Sequence, residues 1–151
     1  MRTVIQRVRN ASVEVPESGY VASIGSGLLL LSAFIDGDTE DDLRWVARKV
    51  AAMRIFDDPD GVMNLSVRDV SGEVLIVSQF TLYASTVRGN RPSYIKAAKP
   101  EISVPLYERF CKLVAEELGR EVKTGVFGAD MKVSLLNDGP VTILVDSKIK
   151  E

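Results

Sequence analysis

The sequence predicts an α/β fold, with mixed β-sheets and two main helices in one layered α/β/β domain. Apolar residues recur at helical spacing in two segments, near residues 39–53 and 103–118. The remaining apolar runs are short and rich in β-branched residues, which is typical of strands. The chain has 151 residues, and no repeat, low-complexity tract or linker divides it. We therefore expect a single domain over residues 1–151.

The predicted strands begin close to the N-terminus. Ser12–Val15 alternates polar and apolar residues, as in a strand with one solvated face. Leu28–Phe34 is almost entirely apolar, as in a strand buried on both faces. Turn-forming residues follow several of these segments, for example at Pro16–Gly19 and Asp57–Gly61. The predicted strands cover residues 2–9, 12–15, 20–24, 28–34, 73–77, 122–124, 131–136 and 141–145.

Both predicted helices carry recognisable end signals. The first begins near Thr39, whose hydroxyl can cap a helix, and three acidic residues follow it at the positive helix end. The second is predicted over Ser103–Leu118, with Ser103 as its N-cap. Pro105 then falls in the first turn, where a missing N–H costs little. Gly119 is predicted to end this helix.

Composition excludes several classes of function. The chain contains no histidine, which removes Ser-His-Asp and Cys-His catalysis and most zinc and non-haem iron sites. A single cysteine, Cys111, excludes an internal disulfide and fits a reducing compartment, so we expect a cytoplasmic protein. No apolar stretch is long enough to span a membrane, and the N-terminus lacks a signal-peptide pattern. We expect no metal, no cofactor and no membrane partner.

Polar side chains follow a buried strand at Ser78–Leu82, which reads SQFTL. Ser78, Gln79 and Thr81 would place two hydroxyls and an amide at the mouth of the sheet, where α/β proteins often bind ligands. Polar groups at a buried strand end need hydrogen-bond partners or a ligand. The alternative is a strand that leaves the core and becomes solvated, and the spacing alone favours that alternative.

The segment Val74–Pro100 contains no acidic residue, although the chain as a whole has a net charge of −2. It carries four basic residues, Arg88, Arg91, Lys96 and Lys99. Basic residues on a flexible loop suit phosphates, and the ring of Tyr94 could stack on an unpaired base. A solvated basic face explains the same residues equally well. The slight overall acidity argues against a broad, non-specific nucleic-acid binder.

Two further stretches place glycine beside an unusual neighbour. In TGVFGADM, Phe127 stands between Gly125 and Gly128, so its ring either packs in the core of a hairpin or lines a pocket. Gly139-Pro140 precedes the last predicted strand. Local rules predict an ordinary trans turn there, since cis is the minority form. The same dipeptide could instead present backbone groups to a docked ligand.

Together these stretches resemble one family, the D-aminoacyl-tRNA deacylases of the bacterial and eukaryotic type. SQFTLYA at 78–84 is similar to that family's first signature, and NDGPVT at 137–142 is similar to its second, the Gly-cisPro motif. The opening MRTVIQRVRNASVEV, the RIFDDPDGVMNLS segment, the RGNRPSY loop and TGVFGADMKVSL are also similar to family stretches. The resemblance therefore covers essentially the whole chain.

The resemblance implies a homodimeric hydrolase that proofreads chirality in translation. It would cleave the ester between the 3′-terminal adenosine of tRNA and a D-amino acid, or glycine mischarged on tRNA-Ala, releasing the amino acid and the tRNA. Gly139 and Pro140 of one subunit would enter the active site of the other and reject L-amino acids with their backbone carbonyls. The catalytic pocket would contain Ser78, Gln79, Phe80 and Thr81.

The resemblance also implies three supporting positions. Phe127 would lie near the adenine, Met131 near the pocket wall, and Arg7 beside the Gly-Pro loop. The 3′ end of aminoacyl-tRNA would be the partner, and the four basic residues named above are candidates for contact with it.

An aminoacyl ester is activated and has a ribose 2′-hydroxyl beside it, so its hydrolysis does not demand a histidine base. Backbone N–H groups near Phe80 and Thr81 could stabilise the oxyanion, while the substrate's own hydroxyl orients or activates water. Covalent catalysis by Thr81 is the rival mechanism. It lacks a histidine base, and a lysine base would need a strongly lowered pKa, so we favour backbone and substrate assistance.

Three other classes of protein stay open on the sequence alone. A non-catalytic RNA-binding module using the loop Arg88–Lys99 predicts binding without turnover. A small-molecule hydrolase or a chorismate-type enzyme with an acidic substrate would need no tRNA. A structural protein that only dimerises would explain neither signature.

Overall fold

The computed structural model describes residues 1–150, which form eight strands, two α-helices and a 3₁₀ turn. In chain order they are β1 (Arg2–Val15), β2 (Tyr20–Ile24), β3 (Gly27–Ala33), α1 (Glu40–Ala52), β4 (Phe56–Asp57), β5 (Met63–Leu65), β6 (Glu73–Ser78), the 3₁₀ turn (Phe80–Tyr83), α2 (Pro100–Leu118), β7 (Lys123–Thr124) and β8 (Lys132–Asp146). The predicted mixed sheet with two helices is confirmed.

The long strand β1 is the centre of the six-stranded mixed sheet. One edge of β1 pairs antiparallel with β2 and then, in the same register, with β3. Its other edge pairs antiparallel with β8 along nearly the whole length of both strands. β6 joins β3 in parallel, and β7 joins β6 in parallel. β4 and β5 form a separate two-stranded hairpin, which the sequence did not predict, around the predicted turn.

The sheet curls so far that it nearly closes into a barrel. Both helices pack on its outer face, where Ile5, Leu30 and Ile76 share a core with Val46 and Phe110. Its inner face encloses a second, smaller core around Val13, Leu29 and Leu75. The hydroxyl of Tyr20 on β2 donates to the carbonyl of Thr124 on β7, at 2.7 Å, across the gap between the sheet edges.

The predicted start of α1 is confirmed and that of α2 is wrong. The hydroxyl of Thr39 accepts from the amide of Asp42 at 3.4 Å, as its capping role requires. The second helix begins at Pro100, not at Ser103, because proline with its fixed φ can open a helix. The hydroxyl of Ser103 donates back to the carbonyl of Lys99 at 3.0 Å and caps nothing. Gly119 ends this helix with φ +71°, as predicted.

Two pairs of predicted strands are single strands in the structure. Residues 2–9 and 12–15 are both part of β1, and residues 131–136 and 141–145 belong to one strand, β8, apart from Met131. The expected turn at Gly139-Pro140 does not reverse the chain, because β1 pairs with β8 on both sides of it. Local sequence could not reveal this, since the pairing joins residues 118 to 144 positions apart.

Among residues 1–150, no helix combines the length and the apolar character that a membrane crossing requires.

Gly27 and Glu73 face each other where β3 and β6 begin their parallel pairing, and a Cβ atom on Gly27 would collide with the backbone of Glu73. We expect Gly27→Ala to lower the free energy of unfolding by about 1–3 kcal/mol, the usual cost of overpacking. Urea unfolding followed by circular dichroism measures this change. In the control, Gly37→Ala, the new Cβ meets no atom within 4 Å. A similar loss of stability in both variants would contradict the prediction.

Candidate functional site

An open cavity of about 270 Å³ lies where β6 ends. Ser78, Gln79 and Phe80 line one side of it, and Phe127 and Met131 line the other. The structure therefore brings together five of the residues predicted for the site, from two segments about 50 positions apart. Thr81 follows directly in the 3₁₀ turn and is half-buried.

The parallel pairing of β3 with β6 sets the geometry of this cavity. Ser78 is the last residue of β6 and lies opposite Ser32 of β3. The amide of Gln79 then donates to the carbonyl of Ser32 at 2.8 Å, and the chain turns into the 3₁₀ segment. The first hydrogen bond of that turn runs from the amide of Leu82 to the carbonyl of Gln79. The chain therefore stays folded against the sheet here, while Ser78 and Gln79 remain partly accessible to solvent and Phe80 is exposed.

Two backbone amides at this turn have no acceptor within residues 1–150. They belong to Phe80 and Thr81, which precede the first hydrogen bond of the 3₁₀ turn. Adjacent N–H groups at the start of a helical turn suit an anion or an oxyanion. The turn therefore leaves two unpaired backbone donors, one of them on Phe80, which lines the cavity.

The cavity has little acid–base chemistry of its own. The side-chain amide of Gln79 donates to the hydroxyl oxygen of Thr81 at 2.5 Å, and no described base contacts that hydroxyl. Asp130 is the one carboxylate among the lining residues, and it forms an exposed ion pair with Lys132 at 2.9 Å. Burial raises the pKa of the Cys111 thiol to about 12, and this residue does not line the cavity. No cluster of three or more His, Cys, Asp or Glu residues suited to a metal occurs in residues 1–150.

Phe127 both packs on the core and lines the cavity. Its ring lies 5.8 Å from that of Tyr107, centroid to centroid, and Tyr107 is anchored by its hydroxyl to the carbonyl of Ile76 at 2.8 Å. Gly125 leaves the space that Met131 fills, since a Cβ there would lie 2.6 Å from its sulfur. Packing in the core and lining a pocket, the two roles that the sequence left open for the Phe127 ring, are therefore compatible.

The Gly-Pro segment forms a bulge on the outside of the sheet. Gln6 pairs with Thr142 and Val8 pairs with Asn137, so four residues of β8, 138–141, lie opposite the single residue Arg7. The Gly139-Pro140 peptide bond is cis, as the resemblance implied and local rules did not. Gly139 and Pro140 are exposed and do not line the cavity of their own chain.

Arg7 holds this bulge from beneath, and its side chain is only 9% exposed. Its Nε donates to the carbonyl of Asp138 at 3.0 Å, and its Nη1 donates to the carbonyl of Ile55 at 2.6 Å. The carboxylate of Asp57 lies 3.5 Å from the same nitrogen. The sequence did not predict a role for Ile55 or Asp57, and nothing local in their segment indicates a partner about 50 residues away.

Gly139 fits the bulge only because it lacks a side chain. Its φ is +125°, which L-residues rarely adopt. A Cβ atom would lie 2.8 Å from the side chain of Val141 and 3.1 Å from Nη2 of Arg7.

The predicted basic surface is present near the mouth of the cavity. Ser85 and Ser93 exchange two backbone hydrogen bonds and so close a loop over residues 86–92. Four basic residues of this surface are exposed: Arg88, Arg91, Lys96 and Lys99. In the part of the chain that the structure describes, none of them has a carboxylate within 4 Å.

Comparison with known proteins decides the family. The model of the D-Tyr-tRNA(Tyr) deacylase family matches residues 4–146. The chain belongs to this family. It is 60% identical to a D-aminoacyl-tRNA deacylase of Bacteroides thetaiotaomicron and 58% identical to one of Flavobacterium psychrophilum, in each case over the full length of both chains. The resemblance predicted from the two signatures is confirmed.

Two solved structures have a similar fold. The structure of a c-Myc DNA Unwinding Element Binding Protein is 38% identical, with a TM-score of 0.87 over 97% of this chain and 98% of that one. A probable eukaryotic D-amino acid tRNA deacylase is 21% identical, with a TM-score of 0.82 over 95% and 97% of the two chains, and shows the fold alone.

In this deacylase fold, Arg7→Lys keeps a positive charge and loses the planar guanidinium. We expect the free energy of unfolding to fall by about 1–3 kcal/mol, because the buried carbonyls of Ile55 and Asp138 lose their donors. Thermal or urea unfolding measures it. Arg9→Lys is the matched control, since Arg9 is 70% exposed and only meets Asp138 at 3.4 Å; its effect should stay within about 0.5 kcal/mol. Equal losses in the free energy of unfolding for Arg7→Lys and Arg9→Lys would refute a structural role for the guanidinium of Arg7.

Proposed function

We propose that this protein hydrolyses the ester bond of D-aminoacyl-tRNA, and that of glycine mischarged on tRNA-Ala, releasing the amino acid and the tRNA. Membership in the deacylase family supports the reaction class. The observation that supports this site is the pair of unpartnered amides, Phe80 and Thr81, at the edge of a cavity whose one carboxylate, Asp130, is paired with Lys132.

The proposed mechanism uses backbone donors and the substrate. Water adds to the ester carbonyl, and the carbonyl oxygen, as it becomes negative, accepts hydrogen bonds from the amides of Phe80 and Thr81. Collapse of the tetrahedral intermediate breaks the bond to the ribose 3′-oxygen. That oxygen takes up the proton that the water lost, and the neighbouring 2′-hydroxyl can orient the water or relay this proton. No residue of the chain needs to change its charge during this sequence.

We further infer that the protein acts as a homodimer in which the Gly-Pro bulge of one copy enters the cavity of the other. The bulge is exposed and lies outside its own cavity, so within one chain it has no evident target. β8 is a long edge strand, and such edges invite pairing unless they are covered. Strand β8 also carries three leucines that are exposed in the single chain, Leu135, Leu136 and Leu144. A two-fold dimer would cover this surface on both copies at once.

In this arrangement the backbone of Gly139-Pro140 would form a wall beside the amino acid. Excluding an L side chain with a rigid main-chain wall gives selectivity by repulsion. Arg7 and the absence of a side chain on Gly139 would keep that wall in one position.

The basic residues near the cavity mouth would contact the phosphates of the tRNA 3′ end. Arg88, Arg91, Lys96 and Lys99 are exposed and free of carboxylate partners within residues 1–150, so their charge is available to an anionic ligand. Phosphate contacts position a nucleic acid without reading its sequence, which suits an enzyme that must accept many tRNAs.

The activity is tested with D-Tyr-tRNA and L-Tyr-tRNA at equal enzyme concentration. We expect release of D-tyrosine and no release of L-tyrosine above the rate of spontaneous hydrolysis. Acid precipitation of labelled aminoacyl-tRNA measures both. Efficient release of L-tyrosine would remove the chirality filter from the proposal, and hydrolysis of neither substrate would refute the proposed activity.

The role of the Thr81 hydroxyl is tested by Thr81→Ala. Because the backbone amide is kept, we expect kcat to fall by about tenfold or less, whereas removal of a nucleophile costs several orders of magnitude. Single-turnover cleavage of D-Tyr-tRNA measures it. Thr86→Ala, in the exposed loop, controls for a general loss of folded enzyme. Near-total loss of cleavage with intact tRNA binding would favour covalent catalysis instead.

The shared site is tested by mixing two variants that are each expected to be inactive, the first because its cavity is blocked and the second because its displaced bulge would obstruct the partner's cavity. Ala129→Trp would fill the cavity, and Gly139→Ala would displace the bulge. If the bulge acts on the partner's cavity, a mixed dimer has one intact site. Random exchange of subunits should then restore roughly a quarter of the wild-type rate on D-Tyr-tRNA. No recovery, although size-exclusion chromatography shows mixed dimers, would show that the bulge does not act on the partner's cavity.

A further inference from the structure

Phe80 and Tyr94 form an exposed aromatic pair at the mouth of the cavity, and the proposed ester chemistry uses neither ring. Their centroids lie 5.0 Å apart, with the ring planes at 74°. The two residues are 55% and 38% exposed, and Phe80 also lines the cavity. Two large rings in solvent beside a cavity form a surface that a ligand can cover.

The backbone fixes the position of this pair. Ser85 and Ser93 exchange hydrogen bonds of 2.8 and 2.9 Å directly before Tyr94, and the amide of Ala97 donates to the carbonyl of Tyr94 at 3.0 Å. Phe80 opens the 3₁₀ turn at the end of β6. A surface that is already ordered loses little conformational entropy when a ligand binds.

The charge around the pair favours an anionic ligand. No acidic residue occurs between Val74 and Pro100, and Tyr94 stands between Arg91 and Lys96 in the sequence. Exposed aromatic rings on a basic groove are the combination that single-stranded nucleic acids recognise, because every base has a face that can stack. An apolar protein segment would not need the surrounding positive charge.

Resting on the proposed function, we propose that Phe80 and Tyr94 form a stacking site for the unpaired base that precedes the terminal adenosine of the tRNA. If the cavity takes the aminoacyl-adenosine, the 5′-phosphate must leave through the mouth, and the preceding nucleotide follows it within one residue's length. Arg91 and Lys96, which flank Tyr94 in the sequence, would supply positive charge for those phosphates. The site recognises the face of a base and is indifferent to which base it is.

The kinetic test compares two esters of D-tyrosine, one on adenosine alone and one on the dinucleotide CpA. For Tyr94→Ala we expect kcat/KM to fall about tenfold more on the CpA ester than on the adenosine ester, through KM and not kcat. Tyr94→Phe keeps the ring and should restore the wild-type ratio. Ile95→Ala truncates a neighbouring side chain that is 90% exposed and should not change the ratio. Equal losses on both esters, or no loss, would overturn the stacking site.

A binding test decides the same question without catalysis. A short single-stranded RNA that ends in CCA is compared, by fluorescence anisotropy, with one that is abasic at the penultimate position. The wild-type protein should bind the abasic RNA about tenfold more weakly, and Tyr94→Ala should bind both RNAs alike. An undiminished preference in Tyr94→Ala would overturn the proposal.

These two tests separate the stacking site from the proposed activity. If the wild-type protein does not hydrolyse D-Tyr-tRNA, the proposed function fails, whereas the anisotropy comparison still decides the stacking site. The rings could also be covered by a second copy of the chain. In that case Tyr94→Ala would form a weaker oligomer in sedimentation experiments and would bind RNA as the wild type does. That result would show that a second copy of the chain covers the rings, and it would overturn the proposal.

Discussion

The buried guanidinium of Arg7 is the contact on which the unusual part of this structure depends. A charge that is removed from water must be compensated by close partners, and here these are the carbonyls of Ile55 and Asp138 and the carboxylate of Asp57. These partners belong to two separate segments, the β4–β5 hairpin with its preceding residue and the bulge of β8. A single side chain therefore fixes the hairpin, the central strand and the Gly-Pro segment relative to one another.

The second feature that organises the molecule is the parallel pair of β3 and β6. Parallel strands end at the same edge of a sheet, so β3 and β6 both end at the cavity. The amide of Gln79 continues the pairing by one more bond, and the following residues turn sharply enough to leave the amides of Phe80 and Thr81 unpartnered. A protein without histidine thereby acquires directed hydrogen-bond donors from its backbone, whose position needs no reorganisation during a reaction.

The cavity and the bulge lie on different parts of one chain, which explains why a dimer is central to the proposal. Selectivity from backbone atoms requires a segment that cannot move and that no side chain obstructs. Gly139, with φ +125° above the side chain of Arg7, meets both requirements. The proposed stacking site at Phe80 and Tyr94 would work in a similar way, because a ring can stack on any base, while the basic loop would contact the phosphates.

Local signals were enough to predict the capped start of α1 at Thr39, the end of α2 at Gly119, the exclusion of histidine chemistry and, through the two signatures, the family. The folded chain was needed to show that β8 is one strand with a bulge, that α2 begins at Pro100, and that Ile55 and Asp57 support Arg7. The difference lies in the separation of the interacting residues along the chain. Caps and turns depend on neighbours within four residues, whereas the β1–β8 pairing and the hydrogen bonds of Arg7 join positions 48 to 144 residues apart, which no local pattern encodes.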